Sequence, residues 1–78
     1  MIFLIDYDQR IGKLVSLQVF SEDQRELAEE TRLNLELDLQ AAGFMREIVT
    51  LEAPTEAHIR KTHRRYFETL EELVKLAS

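Results

Sequence analysis

The chain contains no cysteine and no tryptophan, one proline and two glycines. Without cysteine no disulfide can staple the fold and no thiolate can hold a metal, which suits a reducing, cytoplasmic compartment. The glycines, Gly12 and Gly43, are too few and too far apart for a phosphate-cradling loop, and each sits where a turn is expected. The histidines, His58 and His63, are five apart and do not share a helix face, so a two-histidine metal site is not expected. No spacing matches an EF-hand, a HExxH helix or a local serine–histidine–acid pattern. Neither a metal nor a cofactor is therefore expected. Apolar runs are short, and none approaches the roughly 20 residues needed to cross a bilayer.

What is present fits one small α+β domain over residues 1–78. The composition is 45% hydrophobic and 32% charged, which separates it from disordered chains. The net charge of −5 disfavours nucleic acid as a partner. That charge is uneven. Residues 58–65 hold four of the ten Lys and Arg and no acid, making a basic patch on an acidic body. The opening Met1-Ile2-Phe3-Leu4-Ile5 has no basic flank and meets Asp6 and Asp8 at once, so it reads as a strand rather than a signal peptide or membrane anchor.

Residues 2–7 are apolar almost throughout, as in a strand buried on both sides. Asp8 to Lys13 has turn chemistry. Residues 14–20 alternate, with Val15, Leu17 and Val19 on one side and Ser16 and Gln18 on the other, predicting a second strand that closes a hairpin. Ser21 and Gln24 form a helix-start signature, and Gly43 a helix stop, with Phe44 folding back on Leu39. Between them Leu33-Asn34-Leu35-Glu36-Leu37-Asp38-Leu39 alternates like a strand. The caps and the absence of β-branched residues after Thr31 decide for helix. Ala28, Leu35, Leu39 and Ala42, with Leu27 nearby, make its inner stripe, while Leu33 and Leu37 point almost the opposite way. Residues 46–52 predict a third strand. Thr55 caps a last helix with an apolar stripe of Ile59, Tyr66, Leu70, Leu73 and Ala77.

The order ββαβα, with the most apolar strand in the middle, predicts a three-stranded sheet of order 2-1-3. The first strand runs antiparallel to both neighbours, and both helices pack on one face, as in part of a ferredoxin-like fold. The other face is then bare, with Ile2 and Leu4 alternating against Phe3 and Ile5. Burying each such side chain is worth about 1.5–3 kcal/mol, so a bare face would seek cover. This predicts a homodimer closed sheet to sheet over the outer side of the first strand, Ile2 and Leu4, through sheet edges, or through Leu33 and Leu37. The alternative is that the turn and tail cover that face within one chain.

Among polar groups, His63 falls at the edge of the last helix's apolar stripe, beside Tyr66. A partly buried imidazole can act as a general base, though such histidines are more commonly hydrogen-bonded structural residues, and a tyrosine on such a stripe is commonly core. Arg60, Lys61, Arg64 and Arg65 spread around the exposed half of that helix. They can grip a phosphate or carboxylate, or an acidic protein, and equally can be solvated and paired along the helix, as Arg64 with Glu68 and Arg60 with Glu56. Asp6, Asp8 and Glu52 lie near strand ends and are expected to approach one another if the first and third strands pair.

The stretch Arg60-Lys61-Thr62-His63-Arg64-Arg65-Tyr66-Phe67, with Leu51-Glu52-Ala53-Pro54-Thr55-Glu56 ahead of it, resembles a small family of uncharacterised bacterial proteins. The resemblance spans most of the chain. It implies a bacterial, cytoplasmic origin and transfers no activity, cofactor or functional residue. The sequence thus predicts a self-associating interaction or regulatory module without catalytic activity, contacting an acidic protein or anionic partner through Arg60, Lys61, His63, Arg64, Arg65 and Tyr66. The alternative is a small-ligand binding protein or minor enzyme with a pocket around His63, Tyr66 and Arg64.

Overall fold

The computed structural model describes residues 1–68, in which strand β1 (Ile2–Asp8) lies between β2 (Lys13–Phe20) and β3 (Glu47–Glu52). The sheet order is β2-β1-β3, and β1 is antiparallel to both neighbours. A tight 3-10 turn at Glu22–Gln24 leads into α1 (Arg25–Ala42). After β3 come α2 (Glu56–Thr62) and a second 3-10 turn at Arg64–Tyr66. The element order and strand order are those expected from the sequence.

β1 is central because both of its faces are apolar. Ile2, Phe3, Leu4 and Ile5 are each 2% exposed or less. Successive side chains alternate across the sheet. Phe3 and Ile5 join Ala53, Ile59 and Tyr66, with Tyr7, Leu14, Leu17, Val49, Leu51 and Phe67 packed around them. Ile2 and Leu4 join Phe20 and Ala28, with Ile48 alongside. The two helices therefore lie on opposite faces of the sheet, α1 over Ile2 and Leu4, α2 over Phe3 and Ile5. This corrects the expectation of both helices on one face. It also removes Ile2 and Leu4 from any self-association surface. A strand apolar on both sides does need two covers, but one chain supplies both: Ala28 of α1 seals one side, Ile59 of α2 the other.

β2 departs from strict alternation. Its register with β1 slips between Asp6, opposite Ser16, and Tyr7, opposite Leu14, so Val15 is the extra residue of a bulge. The bulge turns Leu14 to the same side as Leu17, and both pack on the α2 face. Val15 and Val19, expected inside, are exposed along this outer strand.

Local signals hold at the ends of α1. The Ser21 backbone N–H donates to the Gln24 side chain at 3.0 Å. Gly43 adopts the left-handed conformation, φ 79°, where a Cβ would be strained. Its N–H donates to the Gln40 carbonyl at 3.1 Å and that of Phe44 to the Leu39 carbonyl at 2.9 Å, the Schellman arrangement. The strand-like run Leu33–Leu39 is helical, as the caps require.

α2 is shorter than expected. Thr55 caps it, its hydroxyl accepting from the His58 N–H at 3.1 Å. The helix ends at Thr62, because His63 (φ −124°, ψ 54°) leaves the helical region. The Thr62 hydroxyl bonds back to the His58 carbonyl at 3.1 Å, a contact that loosens helices, and Tyr66 beyond it is drawn to the sheet. The expected stripe residues Leu70, Leu73 and Ala77 lie outside the described residues. No helix among the described residues is long and apolar enough to cross a membrane.

Candidate functional site

The break at His63 redistributes the basic residues. The Arg60 guanidinium lies 3.7 Å from Glu56 and covers the Phe67 ring at 4.7 Å. Arg64 pairs with Glu68 at 3.2 Å. Arg65 leaves the patch: its guanidinium donates to Glu47 at 2.6 Å and lies 4.1 Å above the Tyr66 ring. Of the four cations only Lys61 has no ion pair among the described residues. His63, half-buried, has Nδ1 2.9 Å from the Thr62 hydroxyl, and its ring stacks on Tyr66 at 6.5 Å. The sequence-derived residues are thus close in space, but the arginines are already matched by carboxylates of the same chain.

The residue that organises this region is Glu47, at the start of β3. One carboxylate oxygen accepts from the Gln9 amide at 2.6 Å, while the other accepts from the Tyr66 hydroxyl and from Arg65. Tyr66 also meets the Tyr7 ring edge-on, with centroids 5.2 Å apart. Burial pushes the Glu47 carboxyl up, but the hydrogen bonds from Tyr66 and Gln9 and the charge of Arg65 outweigh it and hold it below the usual carboxylate range. Burial and the neighbouring Glu47 carboxylate push the Tyr66 hydroxyl up to about 12. Tyr66 therefore stays protonated and donates to Glu47, while Glu47 has its oxygens occupied by three donors. Neither is poised as a general base.

On the α1 face, Asp6 continues the line of Ile2 and Leu4 and is buried. Desolvation pushes its carboxyl up, more than the nearby Arg46 pulls it down. Arg46 Nε lies 3.4 Å from Asp6 Oδ1, yet neither buried atom has a hydrogen-bond partner. Arg46 also lines a groove of about 420 Å³, together with Leu39, Phe44, Met45, Ile48 and the carboxylates Glu36 and Glu47. A second hollow of about 320 Å³ lies between Met1, Glu22 and Pro54. Neither hollow is lined by His63, Tyr66 or Arg64.

Glu47, Gln9 and Arg46 were not singled out from the sequence. A signal for Glu47 exists: it shares the alternation of Val49 and Leu51, which points a carboxylate toward the α2 side. Asp6 and Asp8 carry the same signal after Ile2 and Leu4. The expected approach of Asp6, Asp8 and Glu52 does not occur, because antiparallel pairing sets Glu52 opposite Ile2, at the other end of the sheet. Asp8 instead accepts from the Arg10 backbone N–H at 3.0 Å in the turn, and Glu52 pairs with Arg25. Among the described residues no three His, Asp or Glu converge as a metal site.

Large apolar groups stand in water at several places, among them Ile11 in the first turn, Val15 and Val19 on β2, and Phe44. Leu33 and Leu37 on α1 are 50% and 54% exposed, and Met45 beyond its end is 80% exposed. A comparison with protein families, curated proteins and solved structures finds no match, so the resemblance to a bacterial family and the origin it implies rest on the sequence motif alone.

Proposed function

We propose that this chain is a small self-associating interaction module without catalytic activity, and that its apolar contact surface is the outer side of α1. One observation carries this reading: Leu33 and Leu37 stand half in water on a helix whose other side already buries Ala28 and Leu39. A helix needs a single apolar stripe to dock on its sheet, and α1 has two. Burying a leucine fully is worth about 1.5–3 kcal/mol, so a second copy of the chain gains by covering both. With Ile2 and Leu4 buried, the reading rests on Leu33 and Leu37, two exposed leucines one turn apart on a regular helix face.

The basic segment is the second contact surface in this reading. Arg60, Lys61 and Arg64 are exposed. An acidic protein or an anionic ligand would meet Lys61 directly and would compete with Glu56 and Glu68 for the arginines. Such exposed pairs are weak, about 0.2–1 kcal/mol each, so they yield to a multivalent acidic partner.

The test is sedimentation velocity on the full chain from micromolar to millimolar concentration. The expected result is a concentration-dependent shift to dimer that Leu37→Glu abolishes without lowering the unfolding midpoint, since Leu37 is not a core residue. A single monomeric species throughout would overturn the proposal.

A further inference from the structure

The outer side of α1 carries more than two leucines. At ~100° per residue, Glu26, Glu30, Leu33, Leu37 and Gln40 fall on one side of the helix, and all five are exposed. Their spacing alternates four and three, the repeat by which helices pair along a shared seam. Read along the helix the seam is acid, acid, leucine, leucine, amide. The carboxylates occupy the N-terminal half, and the amide occupies the C-terminal half.

That order discriminates between ways of pairing two copies. Side by side and parallel, Glu26 meets Glu26 and Glu30 meets Glu30, so four carboxylates confront one another next to the leucines. Antiparallel, with a twofold axis passing level with Leu35, Leu33 of each copy meets Leu37 of the other. Glu30 then faces Gln40 of the second copy, and by symmetry this happens twice. A glutamine amide donates to a carboxylate, so the polar groups flanking the leucines are matched donor to acceptor. The helix dipoles also oppose one another in this arrangement, and the acids of one copy stay clear of those of the other.

We infer that a second copy of this chain docks on α1 in antiparallel fashion, Leu33 against Leu37 and Glu30 against Gln40, to form an isologous dimer. The inference rests on the self-association proposed above and adds its geometry. No equivalent complementarity exists for the hollow beside Arg46, where acidic and basic side chains are mixed.

The absence of native cysteine makes the geometry directly readable. In the antiparallel pair, residue 30 of one copy and residue 30 of the other are ten helical positions apart, about 15 Å along the axis. A disulfide needs Cα atoms within about 7 Å. Under mild oxidation, Glu30→Cys alone and Gln40→Cys alone should therefore stay reduced, while an equimolar mixture of the two should form a disulfide-linked heterodimer. In the same arrangement Gln40→Lys should tighten the dimer a few-fold by sedimentation, because each lysine then faces Glu30. Self-cross-linking of Glu30→Cys would overturn the antiparallel pairing in favour of a parallel one. A dimer by sedimentation with no cross-link in the mixture would overturn this interface while leaving self-association standing. A monomer would overturn both. Circular dichroism of each variant confirms that the exposed substitutions leave the fold intact.

Discussion

Beneath α2, Phe3 and Ile5 pack against Ile59 and Tyr66, and the charged groups sit at the border, where Glu47 receives Tyr66, Arg65 and Gln9. Beneath α1, Ile2 and Leu4 pack against Ala28, but the line continues inward as Asp6, whose Oδ1 faces Arg46 without a hydrogen bond. The same strand is thus closed by a wholly apolar cluster with a satisfied polar clamp on one side, and by an apolar cluster with an unsatisfied polar pair on the other. A buried ion pair that lacks its hydrogen bonds seldom repays its desolvation, whereas a carboxylate saturated by donors does. The α2 face has the better polar chemistry but the shorter helix; the α1 face has the longer helix and the poorer polar chemistry.

The dependence of each face on its helix can be broken directly. Ile59 is the only buried residue of α2 itself, so Ile59→Ala should cost about 2–5 kcal/mol in urea unfolding. Leu39→Ala on α1 should fall at the low end of that range, since Leu39 keeps some exposure and Ala28 still seals the sheet. Equal losses would show that the two covers are equivalent. Next in size, Arg46→Met should cost about 1–3 kcal/mol at neutral pH by leaving the Asp6 carboxylate buried alone. Adding Asp6→Leu should recover most of that loss, as replacement of a buried pair by apolar side chains commonly does.

Acid sharpens the contrast. The Asp6 carboxyl is raised, so the folded chain binds its proton more readily than the unfolded one. Its burial weighs against the fold at neutral pH, and that cost is relieved as pH falls from the folded value toward the unfolded one, about 4. The Glu47 carboxyl is lowered, so its contribution is present above about 4.3 and is lost as pH falls through the folded value. Glu47→Gln should cost about 1–2 kcal/mol at neutral pH and flatten the acid limb of the stability profile. Asp6→Asn should make that limb steeper, since the compensating gain disappears. Smallest is Gly43→Ala, about 1 kcal/mol from the left-handed backbone alone, because no atom lies within 4 Å of the added methyl.

Much of this division was legible in the sequence, and the remainder was not for definite reasons. Ser21 with Gln24, Gly43 with Phe44, and Thr55 with His58 are contacts within a few residues, so pattern alone placed the helix ends. The two apolar sides of Ile2 to Ile5 placed β1 in the middle. The same pattern could not say whether its second cover came from the same chain or another, and α1 and α2 settled that by taking one face each. Local spacing exposed the pairs Arg60–Glu56 and Arg64–Glu68. It was blind to Glu47, whose partners Gln9 and Tyr66 are 38 and 19 residues away. The bulge at Val15 was likewise hidden, because one inserted residue reverses an alternation only once the neighbouring strand is known. The end of α2 at His63 follows from the same distant tether on Tyr66.

The position of β1 in chain order has a consequence for biosynthesis. Its seven residues leave the ribosome before every element that hides them, and its pairing with β3 joins Ile2 to Glu52. A hairpin with β2 can form early, but one long side of β1 and both of its apolar faces wait for α1, β3 and α2 to emerge. Until then the nascent segment is an oily ribbon with an open border, the kind of stretch that chaperones grasp and that aggregates when translation stalls.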